Sequence, residues 1–218
     1  GVDVFLMLSG FFVGGSLWRR FEAGRPPRAK EYLARQGRRL LPTAIVVLFA
    51  TLVAFVVIMP RSRWLDGAWE TLASLFYVQN WWLIAQGQQY GAVDPNQSPW
   101  QQFWSMSAQG QFFILIPLML ALIWVVVRRY PEPVRQKALA WSVVIVTIAS
   151  FAIAIWWVNV DQPVAYYSTF ARVWEFTVGM LLAMLPERWQ PLSTIWQPIS
   201  WIAIAALLGA TIAATSPA

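Results

Sequence analysis

Five stretches of this chain are each long enough to cross a bilayer, and that repetition limits the fold more than any motif does. They run near Leu40–Met59, Phe103–Val127, Trp141–Val158, Ser168–Leu185 and Trp196–Ala214. A shorter one, Val2–Trp18, is interrupted by Asp3 and Ser9. About 20 helical residues rising ~1.5 Å each match the ~30 Å hydrocarbon core. A soluble core would not need such runs. Of 218 residues, 58% are hydrophobic and 12% charged, where a soluble domain carries about 45–50% and 25%. The fifteen Trp suit membrane–water interfaces. The expected fold is all-α, a polytopic transmembrane helix bundle of about six spans.

Charge sets the orientation. The net charge of +6 would suggest nucleic acid in a soluble protein, but here the basic residues lie in the gaps between apolar runs. That pattern points to membrane orientation and anionic headgroups, not nucleic acid. Ala68–Ala85 is ambiguous, because Glu70, Gln79 and Asn80 interrupt a helical pattern. If it does not cross, segments 18–40, 128–139 and 186–195 share one side and hold thirteen of the sixteen Lys and Arg. If it crosses, the four-basic loop at 128–139 moves outside, against the positive-inside rule. Ala68–Ala85 is therefore read as an extracytoplasmic interfacial or re-entrant helix. Gly87–Pro99 is read as a loop, and Ser98-Pro99 as an N-cap with Pro at the first helical position. The chain opens at Gly1 inside an apolar run, without Met or a basic leader. The expectation is a single domain over 1–218, truncated at its N-terminus and at its C-terminus.

The absence of Cys and His narrows the chemistry within this stretch. Disulfides, a thiolate nucleophile, a cysteine zinc cluster and a Ser-His-Asp triad are excluded from it. No metal or bound cofactor is expected. What remains are ionisable and polar groups at membrane depth, which are costly and each a site candidate. Asp3 is one, with interfacial solvation as the plainer reading. Arg172 and Glu175 are i, i+3 and can neutralise each other on one helix face, as a structural brace or as site groups. In Gln101–Gln111, a helical count of 100° per residue puts Gln101, Gln102, Ser105 and Gln109 on one stripe. Ser107 and Gln111 fall on another face. The stripe suits a cavity for a hydroxylated or amide ligand or interhelical hydrogen bonding. Arg35, Arg38 and Arg39 precede Leu40-Leu41-Pro42 at an expected helix start, where guanidinium groups and the helix terminus favour phosphate. Topology retention explains such a cluster equally well.

Four segments in order resemble one family. Gly1-Val2-Asp3-Val4-Phe5-Leu6-Met7-Leu8-Ser9-Gly10-Phe11-Phe12 is similar to GVDVFFVLSGFLI, and Arg35–Pro42 to RRxRRLLP. Ser98-Pro99 with Phe103-Trp104-Ser105-Met106-Ser107 resembles SPLLHFWSLSVEEQFY. Ala165–Thr169, Arg172, Trp174-Glu175 and Gly179 resemble AYFSTxxRxWELxxG, and Asn80-Trp81 sits where an NW pair is common. The family is the bacterial membrane-bound acyltransferase family 3. The resemblance implies a multi-pass enzyme of the bacterial cytoplasmic membrane. Such an enzyme moves an acyl group, commonly acetyl, from cytoplasmic acyl-CoA to a hydroxyl of a cell-surface polysaccharide or lipid-linked glycan. It also suggests a fused C-terminal SGNH domain.

In that reading Asp3, Arg172 and Glu175 are catalytic candidates, and Arg35, Arg38 and Arg39 hold the donor. Ser9, Ser105 and Gln109 line the acyl or acceptor path. The family's functional His would precede Gly1, with Asp3 orienting it, so the fragment by itself is expected to be inactive. The chain departs from the family pattern at Gln109 and Gly110, where two Glu are common. The alternative function is a transporter or channel using the same polar groups, which the lack of paired, broken internal halves disfavours. A non-catalytic scaffold is a third reading.

Overall fold

The computed structural model describes residues 1–26, 28–87 and 98–185. Within these residues every regular element is helical. The elements are α1 (Val2–Glu22), α2 (Ala29–Ile58), α3 (Trp64–Leu75), α4 (Gln79–Ala85), α5 (Trp104–Val127), α6 (Glu132–Val160), α7 (Gln162–Tyr167) and α8 (Thr169–Ala183). Short 3-10 turns precede α3 and α5. Four stretches are long and apolar enough to cross a membrane: α1, α2, Gln101–Val127 and α6. The 15 residues of α8 span about 22 Å, less than a hydrocarbon core. The sixth expected span, Trp196–Ala214, lies outside the described residues, as do Arg188 and most of the Gly87–Pro99 loop.

The four membrane-length stretches each carry a long apolar window of which only a minority is buried. In α1 the buried stripe is Leu6, Gly10, Val13, Gly14, Leu17 and Phe21, the i, i+4, i+7 pattern of a packed face. In α2 it is only Ala44, Leu48 and Phe55, while Val46, Phe49, Val57 and Ile58 are exposed. Exposed apolar faces on this scale fit lipid contact and not water. The main core joins α1, α5, α6 and α8 through Leu6, Phe112, Leu120, Val143, Phe176 and Met180.

Three sequence boundaries are corrected. Ala68–Ala85 is not one helix: α3 ends at Leu75 and α4 begins at Gln79, with Tyr77 between them at φ 57. A bulky residue with positive φ is a strained turn position, and it stops the helix. Second, α2 begins at Ala29 and carries Pro42 in its interior. Arg35, Arg38 and Arg39 thus stand inside the helix and not at its N-terminus, so the free N–H groups invoked for phosphate lie a turn or more away. Third, Gln101–Phe103 is a 3-10 turn. Its roughly 120° per residue breaks the stripe expected from a uniform 100°.

Outside the four long helices, α3 is amphipathic in an inverted sense. Gly67, Glu70, Ala73 and Ser74 face inward and are buried. Leu65, Trp69, Leu72 and Phe76 are exposed at the spacing of one helical face.

Candidate active site

The site begins with glycines. A Cβ on Gly10 would lie 1.8 Å from the Phe176 carbonyl oxygen, and one on Gly179 would lie 1.9 Å from that of Met7. A Cβ on Gly14 would lie 2.5 Å from the Met180 side chain. Small residues four apart let two helix backbones touch, as membrane bundles commonly arrange. Here α1 and α8 run side by side in the same direction, so their first turns meet. That contact brings Asp3 against Arg172.

Arg172 Nη1 donates to Asp3 Oδ1 at 2.7 Å and to Glu175 Oε1 at 2.5 Å. Its Nε donates to the Tyr166 carbonyl at 3.0 Å. The guanidinium carbon sits 4.8 Å from the Tyr166 ring centroid and 5.7 Å from that of Trp104, within cation–π range. The two ends of the cluster differ. The Glu175 side chain is 0% exposed and the Asp3 side chain 59%. Glu175 Oε2 has no hydrogen-bond partner among the described residues. A buried ion pair costs about 3–5 kcal/mol when one partner is removed, whereas an exposed pair contributes about 0–1 kcal/mol. Removing either partner of the Glu175 arm would therefore leave a buried charge unpaired. The Asp3 arm adds little stability and leaves a carboxylate open to whatever approaches.

Beside this cluster lies a second polar group that the sequence did not mark as a unit. Asn80 Nδ2 donates to the Tyr167 carbonyl at 3.1 Å and to Thr169 Oγ1 at 2.9 Å. Gln111 Nε2 donates to Asn80 Oδ1 at 3.0 Å and to the Tyr77 carbonyl at 2.7 Å. Gln111 Oε1 accepts from Thr169 Oγ1 at 2.5 Å and from Trp81 Nε1 at 3.2 Å. In the sequence the two appeared only separately, Asn80 in a family-like NW pair and Gln111 on a helix face with Ser107.

The cavity-lining candidates separate. Gln109 Nε2 donates to Ser9 Oγ at 2.7 Å, joining α5 to α1. Ser105 does not join them: its hydroxyl donates to the Gln102 carbonyl at 3.3 Å. Gln101 leaves the stripe as well, buried with its amide on the Tyr167 hydroxyl at 2.9 Å. Of the donor candidates, Arg35 and Arg38 line an open pocket of about 500 Å³ with Lys30, Glu31 and Ala34. Arg39 is not among its lining residues.

With this geometry in view, the comparisons decide the family. The acyltransferase domain of acyltransferase family 3 matches residues 1–217. The chain belongs to this family. YrhL of Bacillus subtilis, provisionally named a peptidoglycan O-acetyltransferase, is 30% identical over 85% of this chain and 28% of its own length. A Staphylococcus aureus protein, provisionally named an O-acetyltransferase, is 28% identical over 88% of the chain and 30% of its own length. The peptidoglycan O-acetyltransferase OatA of Listeria monocytogenes is 28% identical over 85% of the chain and 29% of its own length. The chain thus spans about three-tenths of the length of these curated relatives. No solved structure shows a significant match.

Within acyltransferase family 3, the departures at Gln109 and Gly110 now have a setting. A Cβ on Gly110 would lie 2.3 Å from the Tyr77 ring, so a Glu there would need Tyr77 to move. Tyr77 in turn packs edge-on against Phe103 and gives its carbonyl to Gln111. On α3, Glu70 accepts hydrogen bonds from Ser98 Oγ and from Gln79 Nε2, the latter at 3.2 Å. The Trp100 amide donates to Ser98 Oγ at 3.1 Å, so Ser98 caps the turn that leads into α5. Burial pushes the Glu70 carboxyl above its ordinary range, against the lowering effect of those two hydrogen bonds.

Proposed function

We propose that this chain is the membrane-embedded part of an O-acyltransferase. It moves an acyl group, acetyl in the first instance, from cytoplasmic acyl-CoA to a hydroxyl of a cell-surface polysaccharide or lipid-linked glycan. The observation that carries the reading is the meeting of Asp3, Arg172 and Glu175, far apart in sequence, at one end of the α1–α8 pair. In this reading six spans cross, that end faces outward, and α3 with α4 lies in the outer interface. The names of the relatives make peptidoglycan the first acceptor to try.

The reaction forms a C–O bond between the acceptor oxygen and the acyl carbonyl carbon and breaks the C–S bond to CoA. The thiolate leaves, and the hydroxyl proton must pass to a base as attack occurs. Arg172 is the positive group available to an oxyanion developing at the outer end. Asp3, half-exposed, is placed to take or orient the hydroxyl, or to orient the imidazole that the family resemblance puts upstream. At the other end, Arg35 and Arg38 in their open pocket suit the phosphates of CoA, with Arg39 beside them. A planar guanidinium binds phosphate through two parallel bonds, so Lys should replace Arg only in part.

The test uses the full-length protein in membrane vesicles with radiolabelled acetyl-CoA and solubilised peptidoglycan fragments. The expected result is an alkali-labile labelled ester on the glycan. The Arg35→Ala/Arg38→Ala/Arg39→Ala variant should bind acetyl-CoA more weakly while still inserting. Movement of intact solute across the vesicle with no acyl turnover would replace this reading by a transporter.

A further inference from the structure

The Asn80–Gln111 network has no part in the reading above, yet it grips Tyr167, the chain neighbour of the Tyr166 that cages Arg172. Asn80 is fully buried although it belongs to α4, a helix of seven residues that does not cross the membrane. Both of its N–H groups and its carbonyl are used, as are both N–H groups of Gln111, whose Oε1 accepts twice. A buried polar network in which every donor and acceptor is satisfied fixes its members in one arrangement. The fixed members here are the last residue of α7, Tyr167, and the first residue of α8, Thr169. Between them stands Ser168, where the chain breaks at φ −64, ψ 125.

Arg172 follows that break by one turn. Its Nε is held by the carbonyl of Tyr166, whose ring also lies against the guanidinium. The four residues Tyr166 to Thr169 therefore carry both the Arg172 cage, at Tyr166, and the Asn80 grip, at Tyr167 and Thr169. We infer that Asn80 and Gln111 are positioning residues for Arg172. They hold the α7–α8 break so that Nη1 can reach Asp3 and Glu175 together. This rests on the reading that Arg172 belongs to the reacting site. A 1 Å displacement of a positioned group costs on the order of a hundredfold in rate, so loss of this grip acts on kcat and leaves donor binding alone.

The experiment measures kcat and the acetyl-CoA KM of the full-length protein in vesicles, with peptidoglycan fragments as acceptor. Asn80→Ala should lower kcat at least about tenfold with KM for acetyl-CoA unchanged. In an Arg172→Lys background the same change should have less than about a twofold effect, because the group it positions is already displaced. Equal losses in both backgrounds, or no loss in the parent, overturn the proposal. Full activity of Arg172→Lys with Arg172→Ala would instead sink the reading of the site itself. If Arg172→Lys is too slow to measure, Asn80→Asp decides. Its carboxylate cannot donate to Tyr167 or Thr169, but on protonation it regains one O–H donor. The rate relative to the parent should then rise as pH falls, and stay flat for Asn80→Ala. A flat ratio for Asn80→Asp would overturn the proposal.

Discussion

Asp3 and Glu175 are both carboxylates on the same guanidinium, yet their surroundings give them different work. Glu175 is fully buried and Asp3 is mostly exposed, so Asp3→Asn should cost about 0–1 kcal/mol of stability. Its effect on acyl transfer should be far larger, tenfold or more. Thermal unfolding in detergent, set beside the labelled-acetyl assay, separates the two. A variant that keeps full activity would make Asp3 a bystander. The pairing of Arg172 with Glu175 was legible from their i, i+3 spacing. That Asp3 completes the cluster was not, because the contact spans 169 positions and depends on how closely α1 and α8 approach. Ser105 does not join the Ser9–Gln109 contact for a local reason: its hydroxyl turns back to the Gln102 carbonyl in the 3-10 turn before α5.

At the scale of elements, close approach of α1 and α8 is the device that builds the site, and glycines allow it. Gly179→Ala pushes a methyl into the Met7 carbonyl, an overpacking that should cost about 1–3 kcal/mol and pull Asp3 from Arg172. Gly37→Ala meets only the Leu41 side chain at 3.6 Å and should gain about 0.5–1 kcal/mol instead, since Ala favours helix over Gly. Melting curves of the two variants should therefore move in opposite directions, and a common shift would argue against glycine-led packing. On α3, burial raises the Glu70 carboxyl, so the folded protein holds that proton more tightly than the unfolded chain. Stability from this group is present below the ordinary carboxylate range and is lost as pH rises through the raised value. Glu70→Gln should remove that loss, leaving the variant relatively more stable than the parent at about pH 8 than at about pH 4. A parent-to-variant difference independent of pH would refute it. The helices themselves were legible from apolar run length. Their ends were less so: α2 starts well before its apolar run, and the Tyr77 turn splits α3 from α4 with no Gly or Pro to announce it.

Across the described helices, the exposed apolar faces of α2 and α6 fit lipid contact, and basic-residue asymmetry favours one direction of insertion. The α6 start should face the cytoplasm and the α2–α3 turn the outside. The chain has no Cys, so single-Cys labelling is clean. A Cys replacing Ser62 should react in intact cells, and one replacing Lys137 only after permeabilisation; the reverse pattern would invert the topology. The chemistry was legible only as far as candidate groups and a family resemblance, since no residue pattern reveals what a bundle brings together. The central claim is that the Arg172 cluster reacts and does not merely brace. Replacing both Arg172 and Glu175 by Gln removes the charges together, and so avoids the penalty of about 3–5 kcal/mol for a lone buried charge. In the full-length protein, this double variant should insert and melt close to the parent, and better than either single change. It should transfer no labelled acetyl from acetyl-CoA to peptidoglycan fragments. A well-folded double variant with acetyl transfer at the parent's rate would contradict the account and leave the cluster a structural brace.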